Sequence, residues 1–185
     1  MTLEPKIYIP GTNIVLGGDR IFVIAEIGKN FIQTEVDQSV EVYLENAKGL
    51  VRAAKDAGAD AVKFQTHEVE DEVLNLDFTS PHFKGKDRYS WVSRNTNATP
   101  LEAFWKPLKR FCDETGITFF TSPMSKKAAQ KIDKYVQFWK VGSGDVQDYV
   151  MLNYLADSGK PIIISTGMVS LKELDDVVSY LTAKG

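Results

Sequence analysis

The chain has 185 residues, enough for one domain with a real core. Its 43% hydrophobic and 25% charged residues are ordinary for a soluble globular protein, and a net charge of −3 excludes a global attraction to nucleic acid or to an anionic membrane surface. The single Cys112 excludes an intramolecular disulfide, and no apolar run approaches the ~20 residues of a membrane span. The first residues, MTLEPKIYIPG, lack the basic and apolar regions of a secretory leader, so a cytoplasmic location is expected. Two histidines, His67 and His82, are too few for a His-rich metal site and read as surface residues.

Residues 5–20 read as a β-hairpin around Pro10-Gly11, with a second turn at Gly17-Gly18-Asp19. Ile21 to Ile27 is an almost wholly apolar run, as in a strand buried on both faces of a parallel sheet, and Glu26 is its one charge. Val40, Leu44, Ala47, Val51 and Ala54 form a helical stripe over 38–57, ended by Gly58. Ala59 to Gln65 is a second strand. Residues 66–98 are polar and read as a long functional loop. Thr99-Pro100-Leu101-Glu102 reads as a capping box with proline at the first helical position, opening a helix that Gly116 closes. Cys112 lies on the apolar stripe of that helix and reads as an inert buried thiol. Ile117 to Ser122 is strand three, and Ser125 caps a short helix. Phe138 to Asp145, FWKVGSGD, is strand four and its glycine turn. Asp148 caps the next helix, Pro161 to Thr166 is strand five, and Ser170 with Glu173 is another capping box.

This order is a hairpin (1–20) followed by five βα units (21–185), which demands a parallel sheet with right-handed crossovers. No GxGxxG follows the first strand, which counts against a dinucleotide fold. The polar residues that interrupt the strands all fall near their C-terminal ends: Glu26, Lys63 and Gln65, Thr121 and Ser122, Lys140 with Ser143 and Asp145, and Ser165. Contributions from five strand ends favour a (β/α) TIM barrel, and five of its eight βα units are present. A lysine in an apolar strand is costly unless something negative meets it. Lys63 and Lys140 on neighbouring strands, with the Gly142-Ser143-Gly144 turn after Lys140, point to a small phosphorylated or carboxylated substrate. Glu26 needs a partner, such as Lys63 or a substrate hydroxyl, and Glu26 and Asp145 are available for proton transfer.

IAEIGKN (24–30), AGADAVKFQTHEVEDE (57–72), FFTSPMS (119–125), WKVGSGD (139–145) and KPIIISTGM (160–168) resemble the sialic acid synthase family, which includes the pseudaminic and legionaminic acid synthases. The resemblance implies a TIM-barrel transferase that condenses phosphoenolpyruvate with an N-acylated hexosamine-type sugar and releases phosphate. It implies that Lys63 and Thr121 hold the carboxylate of phosphoenolpyruvate, that Lys140, Ser143 and Ser165 hold its phosphate, and that Glu26, Gln65 and Asp145 surround the sugar and the reacting carbons. Arg88, Arg94 and Asn95 are the candidate contacts to the acceptor sugar. A divalent metal, Mn2+ or Mg2+, and a homodimer are implied for full-length members. The metal-binding histidines of the family lie on later strands, beyond Gly185, so the chain reads as a partial synthase, inactive alone. The segment Gln33 to Glu41 looks inserted, and Phe31 stands where the family often has histidine. Two other readings are another phosphoenolpyruvate–aldose synthase of the 3-deoxy sugar acid type and a non-catalytic, anion-binding half-barrel.

Overall fold

The computed structural model describes residues 6–76, 79 and 87–184. Strands β1 (Ile7–Tyr8) and β2 (Val15–Leu16) pair antiparallel, with Ile7 opposite Leu16. Gly11 turns the chain between them at φ 71°, in the left-handed region where a side chain is strained. The five apolar runs become parallel strands: β3 (Ile24–Gly28), β4 (Ala61–Thr66), β5 (Thr118–Pro123), β6 (Trp139–Val141) and β7 (Ile162–Ile164). β3, β4 and β5 form one hydrogen-bonded ladder and β6 and β7 another, with β5 lying beside β6. Among the described residues the ladders do not close on themselves.

Helices separate the strands. Helix α1 (Val40–Asp56) is capped by Ser39, buries Tyr43, Ala47 and Val51, and is followed by Gly58 at φ 82°. Helix α4 (Lys106–Thr115) ends at Gly116 in the left-handed conformation and buries Leu108 and Cys112. Ser125 caps α5 (Lys126–Ile132), Asp148 caps α6 (Tyr149–Asp157), and Ser170 with Glu173 forms the complete capping box of α7 (Leu171–Thr182). Burial pushes the Cys112 thiol up to about 12. No helix among the described residues is long and apolar enough to cross a membrane.

The strands have two differently used faces. One face of β4 and β5 carries Val62, Phe64 and Phe119 into an aromatic layer with Phe31, Phe104 and Trp105, where the Phe64 and Trp105 rings meet edge to face at 6.0 Å. The other face carries Lys63 and Phe120, and Phe120 stacks on Phe138 with centroids 4.3 Å apart. Burying this many large rings supplies most of the stabilisation, at roughly 25 cal/mol per Å² of apolar surface.

Two expectations fail locally. The stretch 66–98 is not a plain loop: it contains α2 (Val69–Glu72) and α3 (Arg88–Ala98), the latter capped by Asp87. Pro81, His82 and Gly85 lie outside the described residues. Thr99 does not cap the next helix. Its hydroxyl donates to the Asn95 carbonyl at 2.8 Å and finishes α3. Pro100 is itself the cap of a π-helical turn, Leu101–Trp105, in which the Pro100 carbonyl accepts from both Phe104 and Trp105 N–H. The wider turn seats adjacent Phe104 and Trp105 side by side in the core, both fully buried.

Candidate active site

Register decides which strand-end groups meet. Glu26 of β3 stands opposite Lys63 of β4, and Lys63 stands opposite Phe120 of β5. Side chains alternate along each strand, so Lys63 and Gln65 share the face that also receives Glu26 and Ser122. The Lys63 ammonium pairs with the Glu26 carboxylate and donates to Ser122 Oγ at 3.4 Å. Lys63 is nearly enclosed, whereas the Glu26 side chain is 54% exposed. A bulge between Glu26 and Gly28 holds Gly28 at φ 55°, and a Cβ there would touch both Glu26 and Gln65. Gly28 thus lets the two side chains converge.

The same register removes Thr121 from this group. Thr121 stands opposite Phe64, on the helix-facing side, and its hydroxyl bonds Thr66 at 2.9 Å. The hydroxyl beside Lys63 is that of Ser122, one residue on. A strict count of two from Phe120 in the sequence selects Ser122, so the signal was present.

Lys140 of β6 stands opposite Ile163, and Ser165, two residues on, shares its face. The ammonium donates to Ser165 Oγ and to the Val141 carbonyl, each at 2.5 Å. Lys140 is half-buried, and its pKa is lowered by desolvation and then by the neighbouring Lys63 ammonium, against the pull of Glu26 and Asp145. Ser143 lies half-buried in the turn after β6. Asp145 folds back over that turn: its N–H donates to the Gly142 carbonyl at 3.1 Å, and a Cβ on residue 142 would lie 2.8 Å from Asp145 Oδ2. Glycine is required there by the close approach of the carboxylate.

Beyond Asp145 lies a corner that the sequence reading missed. His67, at the end of β4, is 2% exposed and is not a surface residue. Its Nδ1 bonds Glu72 Oε2 at 2.7 Å, the Glu72 side chain is also buried, and Arg88 approaches Glu72 Oε1 at 3.8 Å. The Trp91 edge covers His67 at 5.7 Å, and the Lys29 ammonium sits 3.1 Å over the Trp91 ring. Desolvation brings Lys29 down to about 8, with Glu72 opposing. Helix α3 builds this corner, and the only trace of it in the sequence is a histidine five residues before a glutamate.

Two of the three candidate sugar contacts are engaged elsewhere. Arg94 Nε bonds Asp37 at 2.5 Å, and the same guanidinium donates to the Thr34 and Val36 carbonyls, fastening the 33–41 segment to α3. Asn95 is buried and donates to the Trp91 carbonyl at 2.6 Å within its own helix. Arg88 is the exposed member of the three.

Parallel strands alternating with helices, with polar groups gathered at the strand C-termini, define a protein of the (β/α)-barrel class. The chain belongs to the NeuB family, whose model matches residues 50–185. It is 35% identical to the N-acetylneuraminate-9-phosphate synthase of Homo sapiens over 161 residues, covering 84% of this chain and 42% of that protein. It is 29% identical to the pseudaminic acid synthase of Campylobacter jejuni over 159 residues, covering 84% of this chain and 43% of that one. The crystal structure of an N-acetylneuraminic acid synthetase from Leptospira borgpetersenii, in complex with citrate, superposes with a TM-score of 0.75 at 26% identity, over 97% of this chain and 56% of that one. A truncated 3-deoxy-D-arabino-heptulosonate 7-phosphate synthase from Thermotoga maritima shares the fold alone, at 16% identity and a TM-score of 0.62. The chain spans less than half the length of the curated relatives it matches.

Proposed function

We propose that this chain carries the phosphoenolpyruvate-binding part of a synthase making sialic-acid-like nonulosonic acids. The observation that carries the reading is the pair of inward ammonium groups, Lys63 and Lys140, close enough to oppose each other's charge, each with a serine hydroxyl beside it. Two such cations at the ends of adjacent parallel strands are stable together when an anion lies between them. Lys63 with Ser122 takes the carboxylate. Lys140, Ser165 and Ser143 take the phosphate, and the N–H groups of the 142–144 turn add neutral donors. Ser122 replaces Thr121 in this scheme.

The enol carbon of phosphoenolpyruvate attacks the aldehyde of an N-acylated hexosamine-type sugar, forming the carbon–carbon bond. Water adds to the former enol-phosphate carbon, and phosphate leaves with its bridging oxygen. Lys63 and Lys140 offset the charge on the two anionic groups throughout, without covalent attachment. Gln65 orients sugar hydroxyls, and Glu26 and Asp145 exchange protons at the reacting carbons. Arg88 is the remaining candidate for contact with the acceptor.

The family implies a divalent metal. Among the described residues no three His, Cys, Asp or Glu side chains gather as a ligand set, so these residues do not fit one, and no step is routed through it. The reading is tested by calorimetric titration with phosphoenolpyruvate, then by phosphate release with N-acylated hexosamines set against phosphorylated aldoses. Saturable binding that Lys140→Met removes is the expected result. No binding sinks the anion site, and release with phosphorylated aldoses alone moves the protein to the 3-deoxy sugar acid chemistry.

A further inference from the structure

The corner formed by His67, Glu72 and Arg88 has no part in the scheme above, yet it is built at a cost. Glu72 belongs to a four-residue turn, but its side chain is only 4% exposed. A buried carboxylate requires partners, and its partners are one imidazole N–H and a guanidinium 3.8 Å away. With Nδ1–H donating to Glu72, His67 Nε2 is left as a buried acceptor without a hydrogen-bond partner among the described residues. An unmet buried acceptor costs about 1–3 kcal/mol. Packing alone is better served by apolar residues at these positions, so the arrangement holds Glu72 in place for another reason.

The group that Glu72 addresses is Asp145. Its carboxylate lies against the Gly142 turn, the backbone that receives phosphate in the proposed scheme, and there it competes with any bound anion. Three elements present charge to it. Glu72 and His67 come from β4 and the turn after it, Arg88 from α3, and Asp148 from the start of α6, while Lys140 lies below on β6. Lys29 and Trp91 close the far side of His67.

We propose that His67, Glu72 and Arg88 form a positioning unit that acts through Asp145, setting the charge this carboxylate presents to the anion site. The unit rests on the reading of Lys63 and Lys140 as anion binders. Burial raises Asp145 first, the Glu72 and Asp148 carboxylates raise it further, and Arg88 and His67 oppose them. A protonated Asp145 donates a hydrogen bond toward an anion, and an ionised one repels it. Removing the Glu72 charge therefore lowers the pH at which Asp145 ionises, and removing the Arg88 charge raises it.

The experiment reads Asp145 directly. Carboxyl carbon NMR titration of the 185-residue protein follows Asp145 in the wild type, Glu72→Gln and Arg88→Met, with Asp145→Asn to assign the signal. Glu72→Gln is expected to move the midpoint down, and Arg88→Met up, by about half a pH unit or more, a roughly threefold change in proton affinity. Sulfate, a dianion across the range, is titrated in parallel, and its loss of affinity with rising pH should shift with the Asp145 midpoint. A midpoint unmoved in folded Glu72→Gln overturns the proposal. Arg88 is exposed, so if Glu72→Gln does not fold, Arg88→Met decides by the same criterion. Failure of the wild type to bind sulfate or phosphoenolpyruvate removes instead the anion site, while the carboxyl titration still judges the link to Glu72.

Discussion

Lys63 and Lys140 occupy matching stations, one on β4 and one on β6, each pointing to the same face and each beside a serine. Their surroundings differ. Lys63 is nearly enclosed and ion-paired with Glu26, so its charge is already compensated. Lys140 has only neutral acceptors, Ser165 and a carbonyl, and its pKa is lowered by desolvation and by Lys63. The comparison teaches that the two halves of an anion site need not be equally prepared. The β4 half carries its own countercharge and is permanently set. The β6 half holds an under-compensated cation whose most favourable state awaits a ligand.

Removing the two ammonium groups one at a time breaks the comparison most directly. Lys140→Met should weaken phosphoenolpyruvate binding about 100-fold, the loss of a charge-assisted contact near 3 kcal/mol. Lys63→Met should cost about tenfold, because Glu26 already absorbs part of that charge. Calorimetry of both variants decides, and equal losses would erase the distinction. Next in size, Glu26→Gln frees the Lys63 charge and should tighten sulfate binding about three- to tenfold, roughly 1 kcal/mol. Weaker binding would show that Glu26 instead orients Lys63 for the ligand. Ser165→Ala should weaken binding about fivefold, near 1 kcal/mol, while Ser122→Ala, at a longer and poorer contact, should have the smaller effect.

A proton count sharpens the contrast further. A lowered lysine pKa means that the free protein sheds the Lys140 proton earlier with rising pH than an ordinary lysine does. A bound anion favours the charged form and restores the proton. Binding should therefore be accompanied by proton uptake that grows as the pH rises from 7 to 9, visible as a dependence of the calorimetric enthalpy on the buffer's ionisation heat. Lys140→Met should abolish the dependence, and an uptake surviving in that variant would assign it to another group, with Lys29 at about 8 the first suspect.

The strands and most caps were legible because their signals are local. An apolar run bounded by glycine, or a serine three residues before a glutamate, needs no distant partner to be recognised. The pairing of Glu26 with Lys63 was also legible, since a charge in an apolar strand must find its opposite. Three features resisted reading because each is made by tertiary contact. The polar stretch RYSWVSRNTNA forms α3 because Val92, Asn95 and Ala98 are buried against the rest of the chain, not because its own pattern is strongly amphipathic. His67 is buried because α3 brings Trp91 over it. Thr99 looked like a cap because the sequence does not say that the preceding residues are already helical, which gives its hydroxyl a carbonyl four residues back instead. Thr121 was chosen over Ser122 although the alternation from Phe120 distinguishes them; chemically similar neighbours require the face to be counted.

The sealed thiol of Cys112 offers a clock. A disulfide reagent attacks the thiolate, and a side chain that is fully buried, with its proton held to about 12, presents almost none. Labelling must wait until α4 lifts from α1 and the strands beneath it. The rate of colour release from an aromatic disulfide therefore counts how often this layer opens, with no probe added to the chain. Repeated with and without phosphoenolpyruvate, the same clock reports whether filling the strand ends slows motion at the opposite side of the aromatic layer.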